Sequence, residues 1–473
     1  MWDLLILTAM DESQKLGYAM ELQTLSKGAF RDWAVIVDEP RTEKIGSGGS
    51  TFLCLRYLRG RFGDFSRKKI LVLHSGGFSQ RLPTASALGK AFLTFPNGRN
   101  MVEMKLDAYR TVEEKLSAGV VIASSDTLEH FDASFDLHIE DSAEVLLFGH
   151  YSTIEVGEAH GVYILKGDRT QRVLQKPSRA EMIHTGALVD DDHVITDSFF
   201  ALCSASLLEA LLRVADSYAG APPSSLFDIE GLESNERSEI CCYGDFLRAL
   251  GDDPILDYVQ ETQNRHLRRW RTELKEVFRG RKTQTLVLPG VHTFFHFGTT
   301  QEFSEHLSPD SAFLNHFPMD TVRVVFSRTP EGQCQYCDLK ASLEVGEDCF
   351  LSNLKAHTPL KVPNNTTLIT IALKRGRYVT VAFETNSNLK ESTDRWFGVQ
   401  LERSTMLWET RLFKVEEDAE ASLETTLRAI RTGVLPAEGL LSIKEALEAK
   451  DVEKMITWRR NMRNLVLGMT YLI

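Results

Sequence analysis

No run of apolar residues in this chain of 473 residues reaches the roughly 18–20 that are needed to cross a bilayer, so we expect no membrane anchor. A basic excess is also absent, since 54 Lys and Arg stand against 66 Asp and Glu, for a formal net charge of −12. Proteins that bind nucleic acids usually carry such an excess, so neither DNA nor RNA is expected as a partner. The cysteines are few and odd in number, seven in all, which favours a reducing, cytoplasmic compartment over a framework of disulfides.

The length of the chain is enough for two or three domains. Hydrophobic residues make up 43% and charged residues 25%, as in ordinary soluble globular proteins, which argues against a disordered or fibrous chain. The first apolar run, MWDLLILT, has no basic residues before it and is soon followed by Asp11 and Glu12. We therefore predict a buried strand there rather than a signal peptide.

From residue 1 to 307, short apolar runs alternate with helix-like stretches. The runs rich in β-branched residues are Leu4–Thr8, Trp33–Val37, Ile70–Leu73, Gly119–Ala123, Val145–Phe148 and Thr285–Leu288. The helix-like stretches are Glu12–Leu25, Thr51–Leu58, Met101–Ala118 and Ala205–Ser217. This alternation predicts an α/β fold with a mostly parallel, doubly wound sheet in one domain over residues 1–307. Because such sheets bind ligands at the carboxyl ends of their strands, we expect functional residues in the loops that directly follow these runs.

The pattern changes after residue 308. Short β runs such as Thr321–Ser327 and Tyr378–Phe383 appear, and the stretch ASLEVGEDCFLSNLK has apolar residues and Gly at short intervals. These features predict a smaller β-rich domain over residues 308–400, with coils of a short left-handed β-helix. From 401 to 473 apolar residues recur at helical spacing, with Gly433 as a helix stop, and predict a C-terminal helical segment that packs on the body of the protein.

The most informative segment is ILVLHSGGFSQRLPTASALGK. Its predicted strand, Ile70–Leu73, leads into Gly76 and Gly77, and Arg81 and Lys90 follow shortly after. Glycines after a strand let the backbone approach a phosphate, while Arg supplies a planar fork for phosphate oxygens and Lys a point charge. We predict a phosphate-binding loop here; the alternative is a solvated turn with two surface cations.

A second glycine loop, KIGSGGST, follows the run VIVDEP and opens a predicted helix. Backbone N–H groups at a helix start suit an anion or a guanine carbonyl. The spacing is not that of a P-loop, because no Lys follows the last Gly. Two interpretations stay open, contact with a nucleotide and a tight strand-to-helix turn. The residues of both loops that we expect at a nucleotide are Gly46, Gly48, Gly49, Ser50, Thr51, Ser75, Gly76 and Gly77.

The string G-G-F-S-Q-R-L-P…G-K resembles the G-G-x-G-x-R-L…P-K signature of the sugar-nucleotide pyrophosphorylases, in which this loop wraps a nucleotide triphosphate. Ser79 stands at the third Gly of that signature and Gly89 at its Pro. Longer strings are similar to one family among them, the fucose-1-phosphate guanylyltransferases or GDP-L-fucose pyrophosphorylases. These strings, which recur in order over nearly the whole chain, are HSGGFSQRLPTASALGK, HGVYIL, LQKPS, TDSFF, EICCYGDFLRALG, FFHFGTT and KDVEKMITWR.

The resemblance implies a bound divalent cation, Mg²⁺ or Mn²⁺. Asp126 directly follows the run VVIASS, so it should lie at the carboxyl end of a strand, and the resemblance makes it the metal-binding Asp. A helix N-cap is the alternative for this residue. In FFHFGTT, His296 stands where these enzymes often have a second metal-binding Asp, and imidazole is a poor ligand for Mg²⁺. We therefore expect the second ligand to be Asp197 or Asp245.

The resemblance also implies a binding site for a sugar phosphate. Lys176 in VLQKPS would meet the phosphate, and the backbone of Gly161 in HGVYIL would lie near the sugar. The alternative for Lys176 is a surface lysine. The alternative for Asp197 and Ser198 is a turn or a cap, and for Asp245 it is a helix cap. The substrate-binding residues implied by the resemblance are Gly161, Lys176, Asp197, Ser198, Glu239 and Asp245.

Taken together, the resemblance implies a nucleotidyltransferase with a glycosyltransferase-A-like fold. It would form GDP-L-fucose and pyrophosphate from GTP and β-L-fucose 1-phosphate, in fucose salvage, with Arg81, Lys90 and Asp126 as catalytic residues. The residues themselves indicate a nucleotide and a sugar phosphate as substrates, whereas guanine and fucose come from the resemblance. Two alternatives remain, a non-catalytic regulatory or binding protein on the same fold, and a pyrophosphorylase for another pair of sugar 1-phosphate and nucleotide.

Overall fold

The computed structural model describes residues 1–25, 28–39, 44–132, 135–220, 239–321, 326–328, 332–339 and 343–467. The chain divides into two compact units. The first comprises Met1–Lys15, Leu25–Gly76 and Lys105–Phe295, and the second comprises Leu16–Thr24, Gly77–Met104 and His296–Ile473. These units are discontinuous in sequence, unlike the contiguous domains 1–307, 308–400 and 401–473, which stay a prediction. Among the described helices, none combines the length and the apolar character that a membrane crossing requires.

Strands and helices alternate over the first 307 residues. The strands are β1 (Leu4–Ala9), β2 (Trp33–Val37), β3 (Lys69–His74), β4 (Gly119–Ser124), β5 (Thr127–Glu129), β6 (Val145–Thr153), β7 (Gly161–Lys166), β8 (Arg169–Gln175), β9 (His193–Leu202), β10 (Thr283–Leu288) and β11 (Phe294–His296). The helices are α1 (Glu12–Leu22), α2 (Gly46–Phe62), α3 (Pro83–Ser86), α4 (Met101–Ala108), α5 (Arg110–Lys115), α6 (Ile154–Gly157), α7 (Arg179–Thr185), α8 (Ala205–Gly220), α9 (Tyr258–Glu261), α10 (Arg265–Phe278) and α11 (Thr300–His306). Each predicted apolar run falls on a strand and each predicted helical stretch on helix, with 101–118 broken at Tyr109.

The first unit is built on one large sheet with the order β10-β6-β9-β4-β3-β1-β2. Strands β2, β1, β3 and β4 run parallel, as do β6 and β10. Strand β9 lies antiparallel between β4 and β6, and β7 and β8 add an antiparallel extension. The prediction of an α/β fold with a parallel-rich sheet is therefore confirmed, with an antiparallel strand inside it that the sequence did not predict.

Both faces of this sheet are covered. Successive residues of β1, from Leu4 to Leu7, are all fully buried although they point alternately to opposite faces. One face packs against α2, α8 and α10 in a single apolar core. The chain passes from β1 outward to β2 and then returns to β3 on the other side of β1. The strand order therefore changes direction between β1 and β3, where sheets of this kind bind ligands.

The second unit is rich in short strands. They are β12 (Phe326–Arg328), β13 (Gly332–Gln335), β14 (Asp338–Leu339), β15 (Leu343–Val345), β16 (Cys349–Ser352), β17 (Lys355–Ala356), β18 (Leu360–Val362), β19 (Thr366–Ala372), β20 (Tyr378–Glu384), β21 (Ser392–Trp396), β22 (Val399–Met406), β23 (Phe413–Lys414) and β24 (Leu440–Leu441). Its further helices are α12 (Ala312–His316), α13 (Ala419–Thr432), α14 (Ile443–Glu448) and α15 (Val452–Leu467). Most of the predicted run 321–327 lies outside the described residues, as do the first two residues of ASLEVGEDCFLSNLK.

Parallel pairing at a constant interval organises this unit. Gln333 pairs with Phe350 and Phe350 with Thr367, so β13, β16 and β19 follow one another at steps of 17 residues. The pairs β14–β17 and β15–β18 keep the same interval. The helical segment predicted from 401 begins only at Ala419, because the alternating pattern of Val399–Met406 forms a strand paired with β21. Gly433 ends α13 with a φ of 71°, as predicted.

All seven cysteines are free thiols. Burial raises the pKa of Cys54 and Cys337 well above the ordinary range of a thiol. The described His, Cys, Asp and Glu side chains form no group of three or more that is placed to hold a metal ion. Cys334 and Cys337 are two thiols of the second unit.

Candidate functional site

The first glycine loop begins where β3 ends. The backbone N–H groups of Ser75 and Gly76 lie 3.1 and 3.3 Å from the Oγ1 atom of Thr8, on the neighbouring strand β1. A Cβ atom at Gly76 would lie 3.5 Å from the main chain of Ala9 and also 3.5 Å from the Asp38 carboxylate. The loop therefore leaves the sheet between the carboxyl ends of β1 and β3, the position predicted for ligand binding.

The second glycine loop is the first turn of α2. The N–H of Gly48 donates to the carbonyl of Ile240 at 2.7 Å. Side chains at Gly46 or Gly48 would overlap with Ile240, and a Cβ at Gly49 would lie 2.8 Å from that of Ile45. Packing alone thus accounts for these three glycines, which favours the tight turn of the two interpretations. Contact between this loop and a nucleotide stays a prediction.

Two titratable residues that the sequence analysis missed lie beside these loops. The Ser50 hydroxyl donates to Asp38 at 2.6 Å, and Thr51 Oγ1 lies 3.0 Å from His74 Nε2. Burial raises the pKa of Asp38 to about 6, against the opposing effect of the Ser50 hydrogen bond. Burial lowers the pKa of His74 to about 4, so this imidazole is neutral at pH 7. Asp38 directly follows β2, and His74 is the last residue of β3. A titratable residue at the carboxyl end of a strand is the sequence signal by which both could have been found.

Asp126 lies in the turn that joins β4 to β5, at the carboxyl end of β4 as predicted. It is half-buried, and the hydroxyl of Ser124 donates to its carboxylate. The element that follows is the strand Thr127–Glu129. The N-cap alternative is therefore wrong, because no helix begins at this residue for its carboxylate to cap.

A buried ion pair lies immediately behind the Asp126 turn. Lys105 and Glu129 are both completely buried, with 2.8 Å between Nζ and Oε2. Lys105 also donates to the hydroxyls of Tyr109 and Thr127, at 2.9 and 3.1 Å, and Ser198 donates to Glu129 at 3.1 Å. We call these five residues the Lys105 network. Sequence reasoning missed it, because Lys105 has no local signal that sets it apart from a solvated lysine.

Gly161, Lys176 and Asp197 lie together in the first unit. The N–H of Gly161 donates to Asp197 Oδ1 at 3.1 Å, and His160 Nδ1 lies 3.8 Å from the same oxygen. Burial raises the pKa of Asp197 to about 7, while the Gly161 hydrogen bond and the charge of Lys176 act in the opposite direction. Lys176 is exposed and adopts a φ of 48°, with its N–H bonded to the carbonyl of His160. The Gly161 backbone and the Asp197 carboxylate are thus in direct contact, and the charge of Lys176 acts on the same carboxylate.

The acidic element EICCYGDFLRAL is placed differently from the expectation. Asp245 is buried in the π-helical turn Cys242–Phe246, and Arg271 Nε lies 2.7 Å from its Oδ1. Its Oδ2 accepts the N–H of Cys241 at 2.7 Å. Both carboxylate oxygens therefore already have partners, and Asp245 does not fit the role of a metal ligand. Glu239 is half-buried and precedes this turn.

Arg81 and Lys90 belong to the second unit. The Arg81 carbonyl accepts the N–H of Thr300 at 2.9 Å, which joins the loop to the start of α11 and hence to the motif FFHFGTT. The Arg81 side chain is exposed and that of Lys90 is half-buried. Gly89 has a φ of 92°, and a side chain there would overlap with Tyr18. Proline cannot adopt this φ, which explains the departure from the resembled signature at this position.

His296 pairs with a carboxylate of its own unit. Its Nδ1 lies 3.4 Å from Glu302 Oε2, and its carbonyl lies 2.9 Å from His306 Nε2. Burial would raise the pKa of Glu302, but the hydrogen bond from His296 and two backbone N–H groups bring it down to about 2. Glu302 also closes the capping box of α11 with Thr299. The imidazole of His296 thus contacts the glutamate that caps the first turn of α11.

Two carboxylates of the first unit fit a divalent cation. Strand β9 runs antiparallel to β4 with Ile122 opposite Phe200. Continuing that register sets Ser198 opposite Ser124, the last residue of β4, and Asp197 one residue past the end of β4. Mg²⁺ is commonly held by one or two carboxylates together with phosphates and water. Asp126 and Asp197 stay the predicted ligands of this site, whereas the oxygens of Asp245 are bonded to Arg271 and to a backbone N–H.

The chain is similar to known proteins over most of its length. The fucose pyrophosphorylase domain family matches residues 63–426. The chain belongs to this family. The matched range contains the Ser75–Gly76 loop, the Asp126 turn and the cluster around Asp197. The resemblance deduced from the motifs is therefore confirmed.

Relatives of known name extend the match beyond that range. The fucose-1-phosphate guanylyltransferases of Homo sapiens and Mus musculus are each 27% identical to the chain; the matches cover 98% of it, 90% of the human protein and 92% of the mouse protein. The bifunctional fucokinase/GDP-fucose pyrophosphorylase of Arabidopsis thaliana is 22% identical over 66% of the chain and 32% of its own length. The glycine loop at Gly46, which precedes the family match, lies within the ranges shared with the mammalian relatives.

Proposed function

We propose that this member of the fucose pyrophosphorylase family is a nucleotidyltransferase that forms GDP-L-fucose and pyrophosphate from GTP and β-L-fucose 1-phosphate. The observation that carries the proposal is the cluster of Lys176, Gly161 and Asp197, which lies in the same unit as Asp126. Family membership and the names of the mammalian relatives support the choice of fucose and guanine.

The reaction is an in-line displacement at the α-phosphorus of GTP. A phosphate oxygen of fucose 1-phosphate attacks, a new P–O bond forms, and the bond to the bridging oxygen breaks, so that pyrophosphate leaves with its electron pair. A phosphate monoester dianion is already a nucleophile, so no general base and no covalent protein intermediate are needed. The protein contributes position and charge.

Lys176 and Gly161 hold the sugar phosphate in this proposal. The Lys176 side chain is exposed at the rim, where it can bind a dianion, and its strained φ fixes the direction in which the side chain leaves the chain. Gly161 presents backbone to the sugar because no side chain fits beside Asp197. Since Ser198 donates its hydroxyl hydrogen to Glu129, its oxygen can serve the sugar only as an acceptor.

Asp126 and Asp197 would hold Mg²⁺, or Mn²⁺, which supplies charge neutralisation at the phosphates. Arg81 and Lys90 would bind the β- and γ-phosphates and stabilise the charge that develops on pyrophosphate. The nucleotide would lie on the loops Gly46–Thr51 and Ser75–Gly77. The Asp245 carboxylate is bonded to Arg271 and to the N–H of Cys241, and Glu239 stays a candidate for contact with substrate.

The proposal also includes the domain organisation, the location and the partners of the protein. The parallel pairing at steps of 17 residues supports a short left-handed β-helix-like domain within residues 308–400. A catalytic domain over 1–307 with a glycosyltransferase-A-like fold, and a C-terminal segment over 401–473, complete the domain proposal. Seven cysteines that form no disulfide support a reducing, cytoplasmic location, and the proposed partners are small molecules rather than nucleic acid.

Product analysis tests the proposal. The purified protein is incubated with Mg²⁺, GTP and β-L-fucose 1-phosphate, and the products are separated and identified by mass. We expect GDP-L-fucose and pyrophosphate in equal amounts, and none of either when one substrate or the metal is left out. A protein that binds both substrates but yields no product would instead be the non-catalytic alternative.

A further inference from the structure

The Lys105 network joins three elements that carry the proposed site. Lys105 lies on α4, Thr127 and Glu129 lie on β5 directly after Asp126, and Ser198 lies on β9 directly after Asp197. The network thus fixes the turn that carries one carboxylate relative to the strand that carries the other. It lies under the site and does not line it, since Lys105 and Glu129 are completely buried.

Every donor of the buried ammonium group is used. An ammonium has three N–H bonds, and Lys105 directs them at Tyr109 Oη, Thr127 Oγ1 and Glu129 Oε2, all within 3.1 Å. The other oxygen of Glu129 accepts the hydroxyls of Thr127 and Ser198, at 3.0 and 3.1 Å. Because each bond has a different direction, the network leaves little freedom to the Asp126 turn.

Stability alone does not call for an ion pair at this place. Withdrawing two charges from water is costly, and a buried pair can often be replaced by apolar side chains of similar volume without loss of stability. Apolar side chains, however, have no directional bonds with which to hold the Thr127 backbone against β9. The charged network therefore adds orientation rather than stability.

We propose that Lys105 and Glu129 are positioning residues that hold the Asp126 turn at the correct distance from Asp197 and Ser198. This inference rests on the proposed function, and it adds a role for residues that touch no substrate. Loss of the network would displace the carboxylate of Asp126 relative to Asp197. Displacement by about 1 Å is enough to cost on the order of 100-fold in rate.

The test is a pair of charge-free double variants. Lys105→Met with Glu129→Met removes the network, and Lys69→Met with Glu113→Met removes a control ion pair of the same unit, 3.1 Å long, at the opposite end of the sheet. For each variant three quantities are measured: the melting temperature, kcat with its dependence on Mg²⁺, and the calorimetric Kd for fucose 1-phosphate. The conservative variant Thr127→Val, which removes one hydroxyl from the network, is measured in parallel.

We expect the network double variant to melt within a few degrees of the wild type, to lose about 100-fold in kcat, and to need a higher Mg²⁺ concentration for half-maximal rate. Thr127→Val should lose about tenfold in kcat, and it decides the matter if the double variant does not fold. The control pair should leave kcat and the Mg²⁺ dependence unchanged. A stable network variant, or a folded Thr127→Val, with wild-type kcat and Mg²⁺ dependence would overturn the inference. Failure of the proposed function is distinguishable, because the wild type itself would then form no product.

Discussion

The backbone N–H of Gly161 donates to the carboxylate of Asp197 at 3.1 Å, and the other oxygen of that carboxylate occupies the space where a side chain at Gly161 would lie. A glycine at one strand end and a buried aspartate on the neighbouring strand are therefore mutually required. This contact keeps an acidic side chain, whose pKa burial raises to about 7, at the edge of the site.

Gly161→Ala should weaken the binding of fucose 1-phosphate. The new Cβ would lie 2.5 Å from Asp197 Oδ2, so the carboxylate must move and the N–H bond to it is lost. We expect KM for fucose 1-phosphate to rise at least tenfold while the Kd for GTP changes little. The matched control is Gly60→Ala in α2, where nothing lies within 4 Å of the new Cβ and no effect on KM is expected. A KM equal to the wild-type value would remove Gly161 from the sugar site.

Asp38→Asn should stabilise the protein at alkaline pH. Burial raises the pKa of Asp38 from 3.8 to about 6. The contribution of this group to stability is therefore fully present below about pH 4 and is lost as the pH rises through about 6. An amide carries no charge to desolvate, so the variant keeps what the wild type loses, on the order of 3 kcal/mol for a rise of about two pKa units at about 1.4 kcal/mol each. The melting temperature of the variant minus that of the wild type should grow between pH 5 and pH 8; a constant difference would contradict the raised pKa.

Asp126→Asn and Asp245→Asn should fail in different ways. Asp126 is half-buried and is a ligand in the proposed metal site, so its amide variant should need more Mg²⁺ for half-maximal rate and lose most of its kcat, with little change in melting temperature. Asp245 is buried against Arg271, and its amide variant removes the negative charge that faces this guanidinium. That variant should lose about 3–5 kcal/mol of stability. Thermal melting beside Mg²⁺ titration of the rate separates the two, and the same result for both would show that Asp126 is a structural residue.

Arg81→Ala and Lys90→Ala should each lower kcat by about 10²–10³, since each removes a charge that the proposed function assigns to the leaving pyrophosphate. Little change in melting temperature is expected for Arg81, whose structural bond to Thr300 comes from its carbonyl and not from its side chain. Lys361→Ala is the control, because this lysine of the second unit is largely exposed and pairs only with the exposed Glu344 in the described residues. Wild-type turnover in either site variant would exclude that residue from catalysis.

The sheet of the first unit was predictable because its signals are local. Each strand is a short run of buried β-branched and aliphatic residues, and the ends of these runs place Ser75 and Asp126 at one edge of the sheet. The antiparallel insertion of β9 was not predictable, since its run of apolar residues reads the same in either direction. Pairing partners and strand direction are decided by contacts far apart in sequence.

The Lys105 network and the pairing of Asp245 could not be predicted for a related reason. Lys105 meets a partner 24 residues away and Asp245 one 26 residues away, and neither segment carries a motif that marks it. By contrast, the departure at Gly89 was visible in the sequence. Its cause, a φ of 92° packed against Tyr18, became clear only from the fold.

The most direct test of the account is a comparison of kcat/KM for pyrophosphate release among pairs of nucleoside triphosphate and sugar 1-phosphate, at constant Mg²⁺. GTP, ATP, UTP and CTP are each combined with the 1-phosphates of fucose, mannose, glucose and galactose. The account predicts the highest kcat/KM for GTP with β-L-fucose 1-phosphate, and a loss of that activity in Lys176→Ala that comes from a higher KM for the sugar phosphate. A higher kcat/KM for another pair would contradict the proposed substrates, and absence of pyrophosphate release with every pair would contradict catalysis itself.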